Sequence, residues 1–131
     1  MDKKDWNSAE TICLENSAHL ASVHSDREVE FLSNHINRTI WIGLEWKGNA
    51  YQWSDQSAFD FNNWKSGEPN GAGDENCTSQ FYEPDTAYNT KWNDDRCNAY
   101  RGNSYVCKKR LKGKKLSFNE ISKIFEILHY D

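Results

Sequence analysis

Two segments near the start of the chain carry apolar residues at helical spacing, with polar residues between them. The periodic positions are Trp6, Ala9, Cys13 and Leu14 in the first segment and Val29, Leu32 and Ile36 in the second. Residues three and four apart lie on one face of a helix, so both segments are predicted to be amphipathic helices. Ser25 and Glu28 have the spacing of a capping box. The second helix is therefore predicted to begin just after Ser25.

From Ile40 onward the pattern changes to short β-type runs separated by turn-forming residues. These runs are TIWIGLEW (39–46), AYQWSD (50–55), CTSQFY (77–82), KWNDD (91–95) and SYVCK (104–108). A stretch rich in Asn, Gly, Ser and Asp extends from Gln56 to Asn76. Such a long loop inside a compact domain is usually functional or disordered, and its Trp64 and the neighbouring Cys77 favour order. Two helices followed by strands predict an α+β domain.

The last part of the chain has a different composition. Six of the eight residues from 108 to 115 are basic, and Ser117 with Glu120 forms a second capping box. One apolar stripe follows, made of Phe118, Ile121, Ile124, Phe125 and Leu128. Residues 109–131 are therefore predicted to be a basic linker and an amphipathic C-terminal helix, which docks on a partner, a membrane surface or the domain itself.

The balance of charged residues also changes near residue 108. Residues 1–107 carry 9 basic and 17 acidic side chains, and residues 108–131 carry 7 and 3, which together give the 16 and 20 of the whole chain. An acidic body opposes nucleic-acid binding, since contact through the basic octet alone would be nonspecific and salt-sensitive. No nucleic-acid partner is expected.

Length and composition point to one domain with an aromatic core. A chain of 131 residues supports a single core, and with six each of Trp, Tyr and Phe but a hydrophobic fraction of only 37%, aromatic side chains must supply much of the packing. No run reaches the roughly 20 apolar residues of a membrane span. The first residues have no apolar core of a signal peptide, so a signal or anchor is not expected within this chain.

The four cysteines favour disulfides in an oxidising compartment. Cys13, Cys77, Cys97 and Cys107 are separated by 64, 20 and 10 residues, whereas a structural zinc site usually contains close Cys pairs. Four cysteines allow three pairings. One of these nests Cys77–Cys97 inside Cys13–Cys107. An extracellular location, secreted or on a cell surface, follows from disulfide bonding.

Oxygen-bearing side chains are concentrated in the stretch EPNGAGDENC, residues 68–77. Glu68, Asn70 and Glu75 lie there, and Asn93 and Asp94 follow Trp92 later in the chain. Carboxylate and amide oxygens without a Cys or His pattern suit Ca²⁺, which accepts six to eight oxygen ligands in irregular geometry. The alternative is a solvated loop that uses Asn, Asp and Gly for its turns.

Several short motifs occur in an order that resembles the C-type lectin domain. They are AHLASVHS (18–25), WIGL (41–44), EPN (68–70), ENC (75–77), WND (92–94) and YVCK (105–108), together with the four cysteines. The likeness covers about residues 5–108 and is strongest to the mannose-type recognition domains. It implies the C-type lectin fold for residues 1–108, with two disulfides, Cys13–Cys107 and Cys77–Cys97, and a long calcium-binding loop region.

The resemblance also implies a set of ligands and a sugar class. Glu68, Asn70, Glu75, Asn93 and Asp94 match the principal calcium site and the carbohydrate-binding residues, and the Glu68–Pro69 peptide is expected to be cis. A cis X–Pro bond costs only about 0.5–1 kcal/mol, which makes this geometry attainable. The order Glu then Asn resembles the arrangement for mannose, N-acetylglucosamine and fucose. The expected partners are glycans or glycoproteins bearing mannose-type sugars, with a parent protein that is oligomeric or multidomain.

Some positions depart from that pattern. Glu45 stands alone where many relatives carry two acidic residues, and position 76 is Asn, so a second calcium site is expected to be absent or weak. By the same resemblance, the family's first strand is not expected in the chain as given, so the domain is expected to be N-terminally incomplete. Of the two sequons, NRT at Asn37 is the candidate for N-glycosylation, while Asn76 adjoins a bonded cysteine.

Two other functions compete with sugar binding. In a glycosidase a carboxylic acid and a carboxylate act together, but here the carboxylates would be needed in ionised form as calcium ligands, so an enzyme is not expected. A calcium-independent protein-recognition or ice-binding domain of the same fold is the second alternative, because a fold alone does not fix function.

Overall fold

The computed structural model describes residues 4–71, 73–99, 103–109 and the backbone of residues 125–126. Two helices precede most of the strands, as the sequence pattern predicts. The elements in chain order are α1 (Trp6–Glu15), β1 (His19–Leu20), α2 (Asp26–Ile36), β2 (Ile40–Trp46), β3 (Tyr51–Trp53), β4 (Cys77–Gln80), β5 (Trp92–Asp95), β6 (Ser104–Tyr105), β7 (Cys107–Lys108) and β8 (Phe125–Glu126).

Side-chain caps fix the starts of both helices. The Asp5 carboxylate accepts a hydrogen bond from the Ser8 N–H at the start of α1. At the start of α2, Ser25 Oγ accepts from the Glu28 N–H, as predicted, and the Glu28 carboxylate accepts from the His24 N–H at 2.8 Å. Helix α2 ends at Ile36 and is followed by Asn37, whose φ of 53° is left-handed. Such a residue stops a helix and satisfies its last carbonyl groups.

The larger sheet has five strands and positions the long loop. Its order is β3-β2-β4-β5, and the N-terminal half of β2 also pairs with β6 in parallel. Strands β4 and β5 are antiparallel, with Thr78 opposite Asp94 and Ser79 opposite Asn93. The stretch 54–76 between β3 and β4 makes one isolated bridge, Trp64 to Trp92, which fastens it against β5.

The smaller sheet has the order β1-β7-β8. Cys107 pairs with Leu20 on one side and Glu126 on the other, both antiparallel. At residues 125–126 the chain is therefore extended where the apolar stripe predicted a helix, because the β7 edge offers backbone partners that a periodicity argument cannot include. The rest of the predicted linker and helix lies outside the described residues.

Aromatic residues carry much of the core, as the composition predicts. One buried cluster lies between α2 and the larger sheet and contains Trp53 and Trp92, whose rings meet edge to face at 5.6 Å. A second cluster joins α1, β2 and the C-terminal strands through Trp6 and Trp41. The Trp6 Nε1–H donates to the Ile42 carbonyl at 2.8 Å, so this buried indole is satisfied.

Two disulfides tie these layers together, in the nested arrangement. Cys13–Cys107 joins α1 to β7, and Cys77–Cys97 joins β4 to the turn that follows β5. The longest helix in the part of the chain that the structure describes is 11 residues, too short and too polar to cross a membrane.

Candidate functional site

Asp94 on β5 holds the centre of the long loop. Its carboxylate accepts hydrogen bonds from the Asn70 N–H at 3.1 Å and the Gly71 N–H at 2.8 Å. The Glu68–Pro69 peptide just before them is cis, as the resemblance implies. A turn closed by the Glu68 N–H and the Lys65 carbonyl leads into this segment. The backbone of the EPN segment is thereby fastened to β5, which carries Asp94.

Glu75 is placed by a tight turn that begins at Gly71. The Glu75 N–H donates to the Gly71 carbonyl at 2.7 Å, and the Glu75 carboxylate lies so close to Gly71 that a side chain at position 71 would collide with it. Glycine at this position thus lets Glu75 fold back over the loop.

Asn93 lies next to Asp94 on β5. Its Nδ2 donates to the Asp94 carbonyl at 2.8 Å. The Cys77–Cys97 disulfide joins β4 to the turn that follows the strand carrying both residues. Asn93 is half-buried and also lines a polar cavity together with Ser79 and Asp95.

Negative charge accumulates where these side chains meet. Burial raises the pKa of the Glu68 carboxyl, the hydrogen bond and negative charge of Asp94 raise it further, and Glu75 adds to the effect, while the Lys65 ammonium opposes it. Asp94 itself is only 1% exposed. A bound cation would relieve this repulsion.

Three buried oxygens around Asp94 lack a hydrogen-bond partner among the described residues. They are Glu68 Oε2, the Tyr51 hydroxyl and Thr78 Oγ1. Burial raises the pKa of the Tyr51 hydroxyl to about 12, with further contributions from the charges of Asp94, Glu68 and Glu75. Unsatisfied buried polar atoms are costly and often mark sites where an ion or water binds. Glu68 Oε2 is the one that fits a metal ligand best, because it is a carboxylate oxygen.

The donor set fits calcium in chemistry, though not as a compact triad of carboxylates. Among the described residues, a group of three His, Cys, Asp or Glu side chains with ligand atoms within 4.8 Å of one another occurs at Glu45, Cys77 and Cys97. The two cysteines there are disulfide-bonded, so that group cannot bind a metal. Glu68, Glu75 and Asp94 are spread more widely, and amide oxygens would have to complete a shell of six to eight ligands.

The positions considered for a second calcium are engaged in other contacts. Glu45 pairs with Lys47 at 2.9 Å, and Asn76 Oδ1 accepts from the Gly73 N–H at 3.0 Å. Asn37, the candidate glycosylation site, is exposed at the end of α2.

The structure brings Glu68, Asn70 and Asp94 into direct proximity and places Glu75 and Asn93 beside them. Sequence reasoning missed Tyr51 and Lys65, whose interactions with the carboxylates depend on the fold. The alternation of β3 was the one available signal, because it puts Tyr51 on the same side as the buried Trp53.

Comparisons with known proteins agree with this architecture. Residues 2–109 match the family described as the Lectin C-type domain. A C-type lectin of Thrasops jacksonii, one of the lectoxins, is 38% identical over 121 residues, covering 84% of this chain and 73% of that protein. The low affinity immunoglobulin epsilon Fc receptor of Mus musculus is 35% identical over 108 residues, which cover 79% of this chain but only 30% of the receptor.

Solved structures with a similar fold also include C-type lectin domains. The cow C-type carbohydrate-recognition domain of CD23, determined in the presence of a GlcNAc2Man3 oligosaccharide, superposes with a TM-score of 0.69 at 34% identity, covering 80% of this chain and 79% of that one. A calcium-independent type II antifreeze protein superposes with a TM-score of 0.67 at 27% identity, with coverages of 74% and 73%. The α+β arrangement, the two disulfides and the match over residues 2–109 show that the chain belongs to the C-type lectin domain family.

Proposed function

We propose that this protein binds carbohydrate in a calcium-dependent manner, with preference for mannose-type glycans. The observation that carries the proposal is that the Asp94 carboxylate accepts from the Asn70 N–H in the segment that also carries Glu68, whose buried Oε2 has no hydrogen-bond partner among the described residues. Glu75 and Asn93 complete the proposed set.

The proposed roles follow from the hydrogen-bonding capacity of each side chain. A calcium ion bound there would neutralise the carboxylates and offer coordination positions to two vicinal sugar hydroxyls. The ionised carboxylates of Glu68 and Glu75 can only accept hydrogen bonds, so they would accept from the hydroxyl protons. The amides of Asn70 and Asn93 would donate to the hydroxyl oxygens. Asp94 would hold the loop and supply ligand oxygens.

Sugar preference is inferred from the order of the two loop residues. Glu68 followed by Asn70 fixes which hydroxyl meets an acceptor and which meets a donor, and by resemblance this order suits equatorial 3- and 4-hydroxyls. The CD23 domain was determined in the presence of an oligosaccharide that contains mannose and N-acetylglucosamine, which supports this class. Binding would be weak at one site, because a sugar on an open loop leaves much of its surface in water.

The location and assembly of the protein are also part of the proposal. Two disulfides and the absence of free cysteines among the described residues suit an oxidising, extracellular environment. Several copies of a weak site would be needed for useful avidity toward glycoproteins, so an oligomeric or multidomain parent is inferred.

Exchanging the carboxylate and the amide between positions 68 and 70 tests the roles proposed for Glu68 and Asn70. We expect the double variant Glu68→Gln/Asn70→Asp to change the preference from mannose to galactose by about tenfold or more, because unpaired donors and acceptors at a polar site are strongly disfavoured. The ratio of the affinities for mannose and galactose is measured in calcium, with each free sugar competing against an immobilised glycan for the protein.

The matched control makes the same two chemical changes at the exposed end of α1, as Glu15→Gln/Asn16→Asp, and should retain the original preference. An unchanged preference in the loop variant, with calcium still bound, would refute the assignment. If the immobilised glycan bound equal amounts of the wild-type chain with and without calcium, a calcium-independent recognition or ice-binding function would be favoured instead.

A further inference from the structure

His24 lies in the segment between β1 and α2 and contacts the first residues of the long loop through both of its ring nitrogens. Its Nδ1 is 3.0 Å from Asp60 Oδ1, and its Nε2 is 3.0 Å from Ser57 Oγ. The centroid of the Trp53 ring is 5.8 Å from that of the imidazole. The His24 side chain is 25% exposed, so protons from solvent can reach it.

Ser57 fixes the role of one ring nitrogen. Its hydroxyl and its N–H both bond to Asp55 Oδ1, the N–H at 2.9 Å. Burial raises the pKa of the Asp55 carboxyl, but hydrogen bonds from Ser22 and Ser57 lower it below the ordinary value of 3.8, so this group is ionised where histidine titrates and can only accept. The Ser57 hydroxyl proton is therefore directed to Asp55. Ser57 Oγ is left to accept a hydrogen bond from His24 Nε2.

Asp60 imposes the same condition on the other ring nitrogen. The hydrogen bond from His24 holds the pKa of the Asp60 carboxyl below its ordinary value of 3.8, so this carboxylate is also ionised where histidine titrates. An ionised carboxylate has no proton to donate, so His24 Nδ1 must donate to it. Both ring nitrogens carry hydrogen only in the imidazolium form. The two contacts together therefore require a protonated His24.

A neutral His24 ring can keep only one of the two contacts. With its hydrogen on Nε2, the lone pair of Nδ1 would face the Asp60 carboxylate. With its hydrogen on Nδ1, the lone pair of Nε2 would face Ser57 Oγ, whose proton is engaged by Asp55. Loss of one proton from His24 thus opens one of the two links to the loop.

The other charged groups near His24 belong to α2 and β7. Glu28 Oε2 accepts from the His24 N–H at 2.8 Å, and Glu28 Oε1 accepts from Lys108 Nζ at 2.8 Å. The positive charge of Lys108 also acts on Asp55. Glu28 is thereby engaged by a backbone amide and an ammonium group. Asp60, and Asp55 through Ser57, are the carboxylates whose contacts respond to the charge of the ring.

We propose that His24 is a pH-sensitive clamp, which fastens residues 55–60 of the long loop to the segment before α2 when its imidazole is protonated and loosens when it is neutral. Histidine changes charge between about pH 5 and 8, so the clamp responds to pH changes in that range. It tightens as the pH falls, whereas protons compete with calcium for the carboxylates of the proposed sugar site. This inference goes beyond the proposed function and does not depend on it.

Hydrogen exchange of the Ser57 amide measures the clamp, because this N–H lies inside the fastened segment. In the 131-residue chain with excess chelator, we expect its protection factor to be about fivefold higher at about pH 5 than at about pH 8, the change expected for one hydrogen bond. His24→Gln removes the titrating group and should make the protection factor independent of pH. His35→Gln, at an exposed histidine of α2, is the matched control and should behave like wild type.

Asp60→Asn separates a clamp that responds to protonation from a contact that is merely structural. An asparagine amide can accept from a protonated Nδ1 or donate to an unprotonated one, so the neutral ring keeps both links. We expect this variant to retain the higher protection of Ser57 at about pH 8, with less than about a twofold change between the two pH values. The Asp60 side chain is 64% exposed, so the substitution leaves the core intact.

Two kinds of result would overturn the clamp. One is a Ser57 protection factor that is the same at both pH values in the wild-type chain. The other is a rise toward low pH in His24→Gln or Asp60→Asn that equals the rise in wild type. Both measurements are made in chelator, so neither result bears on calcium-dependent sugar binding.

Discussion

At the scale of single residues, the candidate site depends on groups that the fold forces together. Asp94 pairs with Thr78 across the ladder, and its carboxylate accepts from the Asn70 and Gly71 amides, so one residue connects β4, β5 and the long loop. The motif residues could be identified from the sequence because their types and order are distinctive. Tyr51 could not, because its closeness to the carboxylates depends on how β3 packs against the loop.

Asp55 shows how the loop is anchored at its other end. Burial alone would raise the pKa of the Asp55 carboxyl, but hydrogen bonds from Ser22 and Ser57 and the positive charge of Lys108 lower it below the ordinary value of 3.8. A carboxyl group with a lowered folded-state pKa stabilises the fold above its unfolded-state pKa, and that contribution is lost as the pH falls through the folded-state pKa.

We therefore expect Asp55→Asn to lower the free energy of unfolding at pH 7 and to have a smaller effect as the pH falls through the lowered folded-state pKa, where the wild-type carboxyl becomes protonated. Urea unfolding in chelator at several pH values measures the difference. Asp85→Asn, at an exposed loop position, is the control and should follow the wild-type curve. A difference in the free energy of unfolding between wild type and Asp55→Asn that stays constant at every pH measured would contradict the account.

At the scale of elements, the smaller sheet is attached to α2 through a buried ion pair. Lys108 Nζ on β7 donates to Glu28 Oε1 at 2.8 Å and to the Ser22 carbonyl at 3.0 Å. The side chains of Lys108 and Glu28 are 5% and 8% exposed. A buried pair of this kind is costly to break, since removing one partner leaves a charge in a medium of low polarity.

The predicted consequence is a large loss of stability in Lys108→Met, about 3–5 kcal/mol, because Glu28 remains buried without its cation. The double variant Glu28→Gln/Lys108→Met should recover part of that loss. Lys47→Met removes the exposed partner of Glu45 and should cost no more than about 1 kcal/mol. Chemical denaturation of the wild type and the three variants measures these free energies of unfolding. A loss of stability in Lys108→Met as small as that in Lys47→Met would show that the buried pair is not structurally important.

The elements also show where the periodicity of apolar residues is enough to predict secondary structure and where it is not. Helices α1 and α2 and strands β2 to β5 are local patterns with strong caps or alternation, and the sequence predicts them within one or two residues. Strand β1 has two residues and no periodic signal, so it could not be predicted. At Phe125–Glu126 the local pattern predicted a helix, but pairing with β7 determines the backbone there.

At the scale of the whole molecule, the fold follows from motifs distributed along the chain and from the two nested disulfides. The polar cavity that Asn93 lines could not be predicted, because its walls come from positions as far apart as Thr39 and Asn103. The chain covers most of the Thrasops jacksonii lectin but less than a third of the Fc receptor, so related domains occur in proteins of different size. Assembly into multivalent proteins would compensate for weak individual sites.

The central claim is that carboxylates at the end of the larger sheet make sugar binding depend on calcium. Retention on mannose-agarose tests it directly, with the wild-type chain, Asp94→Asn and the control Asp74→Asn, an exposed carboxylate of the same loop. We predict that wild type and Asp74→Asn are retained in calcium and released by excess chelator, and that Asp94→Asn is never retained. Retention of the wild-type chain in excess chelator, or of Asp94→Asn to the wild-type extent, would contradict the account.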